Sequence, residues 1–239
     1  MLSQMQSQRR KAGTTLQRIV WTKRAQSWEE TPNPGLDSVV AAIVERASKT
    51  TFDVAVDLGA GSGQLALPLA AHAKKVIAVD IAPTMLEILT TKARALNLSN
   101  VETVCESLEK LQFPEASIDL IVSNYVLHHL ADVDKASVIK ACYTWLRPGG
   151  TLIIGDMMFG RGATAQDRQI IAEKVLKLAK LGPGGWWRIA KNAARFTLRI
   201  QEKPVSADTW RRYLTEAGFE QVEISPLIAE ASIAQAYKP

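Results

Sequence analysis

A short apolar run that passes directly into a glycine-rich turn is the feature that most constrains the fold of this chain. Residues Val54–Leu58 are followed by Gly59, Gly61 and Gly63, and a helical pattern begins after the last glycine. Glycine has no Cβ and adopts positive φ at low cost, so the backbone of such a turn can approach a bound molecule closely. Asp57, within the run, is placed to accept hydrogen bonds beside the turn. The pattern predicts a strand, a turn and a helix that together bind a small polar molecule.

The next apolar run narrows the choice of ligand. Val76–Val79 ends at Asp80, and a carboxylate at the end of the second strand suits the hydroxyls of a ribose. Dinucleotide sites favour the spacing Gly-x-Gly-x-x-Gly, whereas the third glycine position counted from Gly59 is Gln64 in this chain. No other feature marks a diphosphate site at a helix N-terminus. The two strand ends therefore predict a nucleoside-binding edge.

Strands and helices alternate through the middle of the chain. The strands are near-continuous apolar runs, which is typical of strands buried on both faces of a parallel sheet. This alternation predicts an α/β protein with a doubly wound, mostly parallel sheet, whose binding site lies at the carboxyl ends of the strands. We predict strands at 53–58, 75–80, 101–105, 118–123 and 150–156, and helices at 63–73, 83–96 and 134–146.

The N-terminal part adds less regular segments to this core. Helical spacing is present at 16–30, and the segment 31–35 breaks it before a helix that Asp37 is expected to cap. Residues 1–15 lack periodic apolar positions and are expected to form a disordered basic tail. The remainder, 16–239, is expected to form a single domain.

The charge is distributed unevenly around a net value of +5. Residues 1–24 contain six basic side chains and no acid, and residues 157–205 carry a net charge of +7, so the rest of the chain is acidic. Basic appendages on an acidic core attract anionic partners such as a lipid surface, a phosphorylated substrate or a nucleic acid. The alternative is that both appendages are solvated surface.

The composition also indicates a compartment. Cys105 and Cys142 lie in apolar segments, and two cysteines of this kind are typical of a reducing environment rather than of a disulfide framework. The first residues lack the apolar stretch of a signal peptide, and no run approaches the roughly 18 apolar residues of a membrane span. We expect a cytoplasmic protein, with peripheral contact to a membrane as a second option.

Residues 157–205 are expected to form a helical hairpin inserted between the last parallel strand and the final helix. Its first helix places Ile171 and Leu178 on one face, the segment 182–185 ends it, and a second helix within 186–200 combines an apolar stripe with a basic face. Two interpretations stay open. The stripe packs over the domain as a substrate lid, or it meets an anionic membrane surface, as interfacial helices with a basic face do. The basic face comprises Arg188, Lys191, Arg195 and Arg199.

Several motifs, taken in order, carry a resemblance to a known family. The segment 57–63 reads Asp-Leu-Gly-Ala-Gly-Ser-Gly, and it is followed by similar motifs at 80–86, 111–119, 146–152 and 210–219. These resemble the class I S-adenosylmethionine-dependent methyltransferases, in particular the small-molecule, quinone-biosynthesis-like group (methyltransferase type 11). The resemblance implies a Rossmann-like sheet of seven strands with an antiparallel last strand, formed by strands at 219–225 and 231–237. It also implies S-adenosyl-L-methionine as the methyl donor.

The resemblance further implies which residues hold the donor. They would be Asp57, Gly59, Ala60, Gly61, Gly63, Asp80, Ile81, Ser107, Leu108, Asn124 and Tyr125. Ser107 stands where the family has an aspartate that contacts adenine, and its hydroxyl can still bond the exocyclic amine. The N–H of Leu108 would meet a ring nitrogen, and Asn124 and Tyr125 would touch the methionine moiety.

Histidine supplies the candidate general base, because it is the side chain that titrates nearest to neutrality. His128 and His129 follow the fourth strand, near the expected site. In some members of the family a histidine at the position of His128 assists deprotonation, so His128 is the candidate catalytic residue. The alternative is that both histidines are ordinary polar residues of a turn. Together with His72 they form no spaced ligand set, so no metal is expected.

Three functions are compatible with these residues. The first is methyl transfer by in-line displacement to a small, largely apolar acceptor such as a quinone precursor, a lipid or a secondary metabolite. The second is RNA methylation through the basic appendages, but the segment 123–126 lacks the Asn/Asp-Pro-Pro-aromatic element of amino-methylating nucleic-acid enzymes, so nucleic acid is disfavoured. The third is a non-catalytic S-adenosylmethionine-binding protein, since a fold does not determine its chemistry. The sequence does not indicate an oligomeric state.

Overall fold

Seven strands form one sheet in the order β3-β2-β1-β4-β5-β7-β6 in the computed structural model of the chain. The strands are β1 Val54–Leu58, β2 Lys75–Asp80, β3 Val101–Cys105, β4 Ile118–Asn124, β5 Leu146–Met157, β6 Glu220–Ile228 and β7 Ala231–Tyr237. The first five pair in parallel, β7 is antiparallel to β5, and β6 is antiparallel to β7. The predicted fold class is confirmed, including the antiparallel last strand. The structure describes residues 14–25, 34–160, 165–180, 202–228 and 230–239, together with 182, 184 and 186.

Helices cover both faces of the sheet. They are α1 at residues 14–25, α2 Pro34–Ala47, α3 Ala66–Ala70, α4 Pro83–Ala95, α5 Asp132–Trp145, α6 Ala165–Ala179 and α7 Ala207–Ala217, with a short 3₁₀ helix at Leu127–His129. On one face α2, α3 and α4 share an apolar core with β1 and β4 that includes Ile43, Leu69 and Leu89. On the other face α5 and α7 share a second core that includes Trp145 and Trp210. The sheet is therefore the middle of three layers.

The middle strands are buried because helices cover them on both sides. Every residue of β4 from Ile118 to Ser123 is buried, and so is β1 from Ala55 to Leu58. Burying a Val, Leu or Ile side chain contributes about 1.5–3 kcal/mol. This is the physical reason that these strands are continuous apolar runs. The same burial holds the carboxyl ends of β1, β2 and β4 in fixed register, and those ends carry the site.

Several element boundaries differ from the predicted ones by a few residues, and at two elements the reason can be identified. The helix predicted at 63–73 is reduced to α3, Ala66–Ala70, because the glycine turn continues as far as Gly63, which has a φ of +97°. β5 begins at Leu146 rather than at 150. Its early residues pair with the end of the chain, since the N–H of Gly149 donates to the carbonyl of Lys238 at 2.8 Å and the N–H of Lys238 donates to Gly150 at 2.9 Å.

The predicted appendages lie partly outside the described residues. The first helix spans 14–25, and α2 begins at Pro34, which places Asp37 inside its first turn rather than at its cap. Most of the predicted basic tail, residues 1–13, lies outside the described residues. So does the second helix of the insertion, except for Trp186, and with it the proposed membrane-binding face at 186–200. Among the residues that are described, no helix is long and apolar enough to cross a membrane.

Candidate active site

The glycine turn after β1 is held by a carboxylate from the neighbouring strand. Asp80, the last residue of β2, accepts a hydrogen bond from the N–H of Gly61 at 2.9 Å and another from the N–H of Ala82 at 2.8 Å. The N–H groups of Gly59 and Ala60 both donate to the carbonyl of Val79 at 2.8 Å. The turn is therefore fixed by β2 rather than by its own strand.

Gly59 is required in this turn for two separate reasons. Its φ is +77°, and a Cβ built on it would lie 2.2 Å from Cγ2 of Val126. Gly61 also has a positive φ of +52°, but a Cβ there would meet nothing within 4 Å, so no neighbouring group fills its side-chain space. The first glycine thus packs against the loop after β4, and the second leaves room for a ligand.

Asp57 is the most deeply buried of the four acids that line the site, with 1% of its surface exposed. Its Oδ2 atom accepts a hydrogen bond from the N–H of Ala66, at the start of α3, at 3.0 Å. Asp57 thus accepts a hydrogen bond beside the turn, from the first residue of α3. The hydrogen bond from the turn itself, from the N–H of Gly61, goes to Asp80. Burial, opposed by the Ala66 hydrogen bond and assisted by the charge of Asp80, raises the pKa of Asp57 to about 7. Burial also raises the pKa of Asp80.

A cavity opens at the carboxyl ends of β1, β2 and β4. Ten of the predicted donor-binding residues line it: Asp57, Gly59, Ala60, Gly61, Asp80, Ile81, Ser107, Leu108, Asn124 and Tyr125. Gly63 does not, because the space beside it is filled by Leu67 and Leu89, whose Cγ atoms lie 2.9 and 3.0 Å from a built Cβ. In the free chain Gly63 thus gives room to Leu67 and Leu89 beneath α3 and α4, and its contact with the ligand stays a prediction.

The other lining residues are not among the predicted donor-binding residues. They are Gln17, Trp21, Leu36, Ser62, Gln64, Leu65, Met85, Glu106, Glu109, Val126, His129 and Leu130. Ser62, Gln64 and Leu65 belong to the same turn and could have been found from its length. Gln17 and Trp21 belong to α1, and only the tertiary contacts of that helix bring them to the cavity.

Two buried polar atoms in the cavity have no hydrogen-bond partner within the described part of the chain. They are Oγ of Ser107 and Oδ1 of Asn124. Buried polar atoms are nearly always paired, so atoms of this kind at opposite sides of a cavity indicate a ligand with polar groups at two ends. The carboxylate of Glu106 accepts the N–H of Ser107 at 2.8 Å, and that bond lowers the pKa of Glu106.

The charged residues that line the cavity are of one sign. Asp57, Asp80, Glu106 and Glu109 contribute four carboxyl groups, and the described lining includes neither lysine nor arginine. A partly buried site with this distribution favours a ligand that carries positive charge, because charges interact more strongly out of bulk water.

His128 forms a buried pair with Asp156, the penultimate residue of β5. Its Nδ1 lies 2.5 Å from Oδ1 of Asp156, and its backbone N–H donates to Oδ2 of the same carboxylate at 3.0 Å. Asp156 is fully buried and 4% of His128 is exposed. The pairing orients the ring and leaves Nε2 as the nitrogen that can take a proton. The two residues are 28 positions apart, so the sequence alone does not reveal the pair.

The structure separates the two histidines by position. His129 lines the cavity, whereas His128 lies behind it, with its ring centroid 4.0 Å from that of His129 and 5.8 Å from that of Tyr125. His128 thus lies beside the cavity, at the boundary formed by Tyr125.

On its other side Tyr125 contacts an apolar cluster. Met157 and Phe159, which follow β5, form this cluster, and Tyr125 and Ile171 of α6 pack against it. Tyr125 has a φ of +56°, uncommon for a residue with a side chain, and its N–H donates to the carbonyl of Gly155 at 2.8 Å. Burial, and then the charges of Glu230, Asp156 and Glu202, raise the pKa of its hydroxyl, which stays protonated at neutral pH.

The end of the insertion is tied to the histidine turn. Lys203 donates from its backbone N–H to the carbonyl of His128 at 2.7 Å and from Nζ to the carbonyl of His129 at 3.0 Å. Lys135, fully buried, donates to the carbonyls of Lys203 and Leu130 at 2.7 and 2.8 Å. This network holds the chain that returns from the insertion against the site.

Among the described residues no group of three His, Cys, Asp or Glu side chains could hold a metal ion.

Comparisons with known proteins agree with this geometry. Residues 56–154 match the model of the methyltransferase domain family Methyltransf_11. The uncharacterized methyltransferase OB1106 of Oceanobacillus iheyensis is 30% identical over 138 residues, which cover 58% of this chain and 61% of that relative. The carboxy-S-adenosyl-L-methionine synthase of Photobacterium profundum is 26% identical over 198 residues, which cover 80% of this chain and 79% of that relative. The chain thus spans about three fifths of the length of the first relative and four fifths of the second.

A solved structure shares the fold. The YcgJ protein of Bacillus subtilis aligns with a TM-score of 0.57 at 20% identity, covering 79% of this chain and 73% of that one. Members of this methyltransferase family use S-adenosylmethionine as their methyl donor. The match spans β1 to β5, the part of the sheet whose strand ends form the cavity.

Proposed function

We propose that the chain is a class I S-adenosylmethionine-dependent methyltransferase, as the family match of residues 56–154 supports, and that it transfers a methyl group to a small, apolar acceptor by in-line displacement. The observation that carries the proposal is the acidic cavity with two unpaired polar atoms at the ends of β1, β2 and β4. The donor is a nucleoside with a polar group at each end and a sulfonium between them, and these features match the cavity.

Different residues of the cavity would bind the adenine, the ribose and the methionine part of the donor. Oγ of Ser107 and the N–H of Leu108 would bond the adenine, and Asp80 would accept from the ribose. A carboxylate has about four acceptor positions, so Asp80 can bind a hydroxyl while it holds the turn. Oδ1 of Asn124 would accept from the ammonium group at the methionine end, beside Tyr125. Gly61 leaves the open side-chain space through which the ligand approaches the backbone.

The charge of the cavity supports the methyl donor over a carboxylated one. One relative is named as a synthase of carboxy-S-adenosyl-L-methionine. A further carboxylate would enter a cavity whose described lining has four acids and neither lysine nor arginine to bind it. Like charges that approach in a partly buried site disfavour binding. We therefore assign the sulfonium donor without the added carboxylate to this chain.

The chemistry asked of the protein is mainly alignment. S-adenosylmethionine, when bound, supplies a methyl group already activated by its sulfonium. The protein holds the acceptor in line with it and excludes water, and such positioning can contribute about 7–11 kcal/mol. Tyr125 lies between the donor cavity and the cluster of Met157, Phe159 and Ile171. That apolar cluster, against which α6 packs, would bind the acceptor. Because the cluster is apolar, it favours a largely apolar acceptor.

His128 would act as the general base where the acceptor carries a proton. Asp156 holds Nδ1, so Nε2 is the proton acceptor, and the imidazolium that forms is stabilised by the carboxylate. General bases of this kind contribute about 10²–10⁴-fold in rate. The position beside Tyr125, at the boundary of donor and acceptor sides, supports this role.

The test is incubation with S-adenosylmethionine labelled in its methyl group and fractionated cell extract. We expect label in the small-molecule or lipid fraction, and much less label with an Asp80→Asn variant at the same donor concentration. Label in the RNA fraction would favour the alternative that uses the basic appendages. Tight binding of the donor with no transfer to any fraction would favour a non-catalytic binding protein.

A further inference from the structure

We propose that α1, residues 14–25, is the outer wall of the donor cavity, and that Gln17 and Trp21 hold the bound donor and slow its dissociation. The inference rests on the proposed function, since it assumes that the cavity binds S-adenosylmethionine. No motif of the family match includes this helix, because the match begins at residue 56.

The helix crosses the cavity from one rim to the other. At its start, Oγ1 of Thr14 lies 3.4 Å from a carboxylate oxygen of Glu109, on the adenine side. Further along, Nε2 of Gln17 donates to the carbonyl of His129 at 3.1 Å, on the methionine side. A helix bonded to both rims lies over the ligand that sits between them.

The middle of the helix is bonded to the rim that carries the ribose carboxylate. Nε of Arg18 donates to the carbonyl of Ile81 at 3.2 Å, and Oγ1 of Thr84 donates to the carbonyl of Thr22 at 3.3 Å. Ile81 directly follows Asp80, so α1 passes next to the group assigned to the ribose.

Gln17 and Trp21, one helical turn apart, are the two residues of α1 that face the cavity. The ring of Trp21 meets that of His129 edge to face, with centroids 5.6 Å apart. It also packs against the small apolar cluster of Ala25, Ala82 and Met85. The indole thus contributes a flat apolar surface to the lining of the cavity.

The attachment of α1 suits a wall that moves. Ala25 is the one residue of the helix that is buried, and the outward residues Leu16 and Ile19 are 54% and 47% exposed. The hydrogen bonds above are all made through side chains, so water can replace them when the helix lifts. A ligand under the helix adds contacts from Gln17 and Trp21, and it leaves only when those contacts break. The expected consequence is a slower dissociation of the donor, with little change in its association.

The experiment is a chase of radiolabelled S-adenosylmethionine from the full chain, with retention on a filter as readout. Gln17→Ala and Trp21→Ala should each raise the dissociation rate by about tenfold. The matched controls are Leu16→Ala and Ile19→Ala, which shorten outward side chains of the same helix and should keep the wild-type rate. Thermal denaturation without donor should be unchanged in Gln17→Ala, which separates the effect from misfolding. The same increases are expected for S-adenosylhomocysteine, because packing and hydrogen bonding do not depend on the sulfonium charge.

Wild-type rates in both Gln17→Ala and Trp21→Ala would overturn the inference and leave the proposed function standing. An equal increase in the outward controls would also overturn it, because the effect would then come from general loosening of the helix. Failure of the wild-type chain to retain S-adenosylmethionine would instead overturn the proposed function itself.

Discussion

The two walls of the donor cavity are built in different ways. The inner wall consists of the ends of β1, β2 and β4 with the glycine turn, and its residues continue directly into buried strands such as Ile118–Ser123 of β4. The outer wall is α1, which has one buried residue and is joined to the rims by side-chain hydrogen bonds. Each such bond contributes only about 0.5–1.5 kcal/mol net. We infer that the inner wall supplies the geometry and most of the affinity, while the outer wall controls how long the ligand stays.

The largest expected effect is on the inner wall at Gly59. Gly59→Ala forces a residue with a Cβ into a φ of +77° and places that Cβ 2.2 Å from Val126. The left-handed conformation costs about 1–2 kcal/mol and overpacking about 1–3 kcal/mol more. Urea denaturation followed by circular dichroism should show a loss of about 2–5 kcal/mol in the free energy of unfolding.

The matched control for Gly59→Ala is Gly149→Ala. Gly149 has a similar φ of +80°, but a Cβ there would meet nothing within 4 Å. It should lose only the conformational part, about 1–2 kcal/mol. Equal losses at the two positions would show that contact with the loop after β4 does not constrain the turn.

The second effect concerns the pair of His128 and Asp156. Asp156→Asn removes the carboxylate that fixes Nδ1, so the rate of methyl transfer into the labelled fraction should fall by about 10²-fold or more. The dissociation constant of S-adenosylmethionine should stay near the wild-type value, because neither residue lines the donor cavity. A fall in donor affinity as large as the fall in rate would mean that the pair is structural.

The third effect tests the carboxylate that joins β2 to the turn. Asp80→Asn removes a negative charge and replaces a hydrogen-bond acceptor that binds Gly61, so donor affinity should fall by about 2 kcal/mol, or roughly 30-fold. Asp53→Asn is the control. Asp53 is half exposed and pairs with Lys74 at 2.8 Å, away from the cavity. Calorimetric titration should find the wild-type dissociation constant for the control, and an equal loss in both variants would contradict the assignment of Asp80.

The smallest effect is a pH dependence at Asp57. Burial raises the pKa of Asp57 to about 7, and a cationic donor binds best when this acid is ionised. Donor affinity should therefore rise by about threefold to tenfold as the pH increases from about 6 to about 8, and the rise should be absent in Asp57→Asn.

The stability of the free protein should change in the opposite direction. Between the ordinary value of 3.8 and about 7, the folded chain keeps a proton on Asp57 that the unfolded chain has released. The contribution of Asp57 to the free energy of unfolding is thus fully present below the unfolded pKa, falls as the pH rises through this window, and is constant above it.

The affinity prediction is contradicted if the wild-type chain binds the donor equally well at all pH values in this range. That result would place Asp57 away from the charge of the donor.

The inner wall could be predicted from the sequence because it follows from local patterns. Apolar strands, the glycine turn, Asp80 and the strand-four end Asn124–Tyr125 all lie at positions that the alternation of strand and helix brings to one edge. The place of Gly63 outside the cavity lining could not be predicted, because the pattern cannot tell a glycine that faces a cavity from one that gives room to Leu67.

The outer wall and the histidine pair could not be predicted because they depend on long-range contacts. The spacing of α1 predicts a helix, but not that Gln17 reaches His129, 112 residues away. In the same way Asp156 is an unremarked acid at the end of β5 until the sheet brings it to His128. The apolar cluster proposed to bind the acceptor depends in the same way on the tertiary contact of Ile171 with Met157 and Phe159.

Isothermal titration calorimetry of the wild-type chain with S-adenosylmethionine tests the central claim most directly. A separate titration with reduced nicotinamide adenine dinucleotide provides the comparison. The account predicts one binding site for S-adenosylmethionine, weaker binding in Asp80→Asn, and no heat with the dinucleotide. Heat with the dinucleotide and none with S-adenosylmethionine or S-adenosylhomocysteine would contradict it.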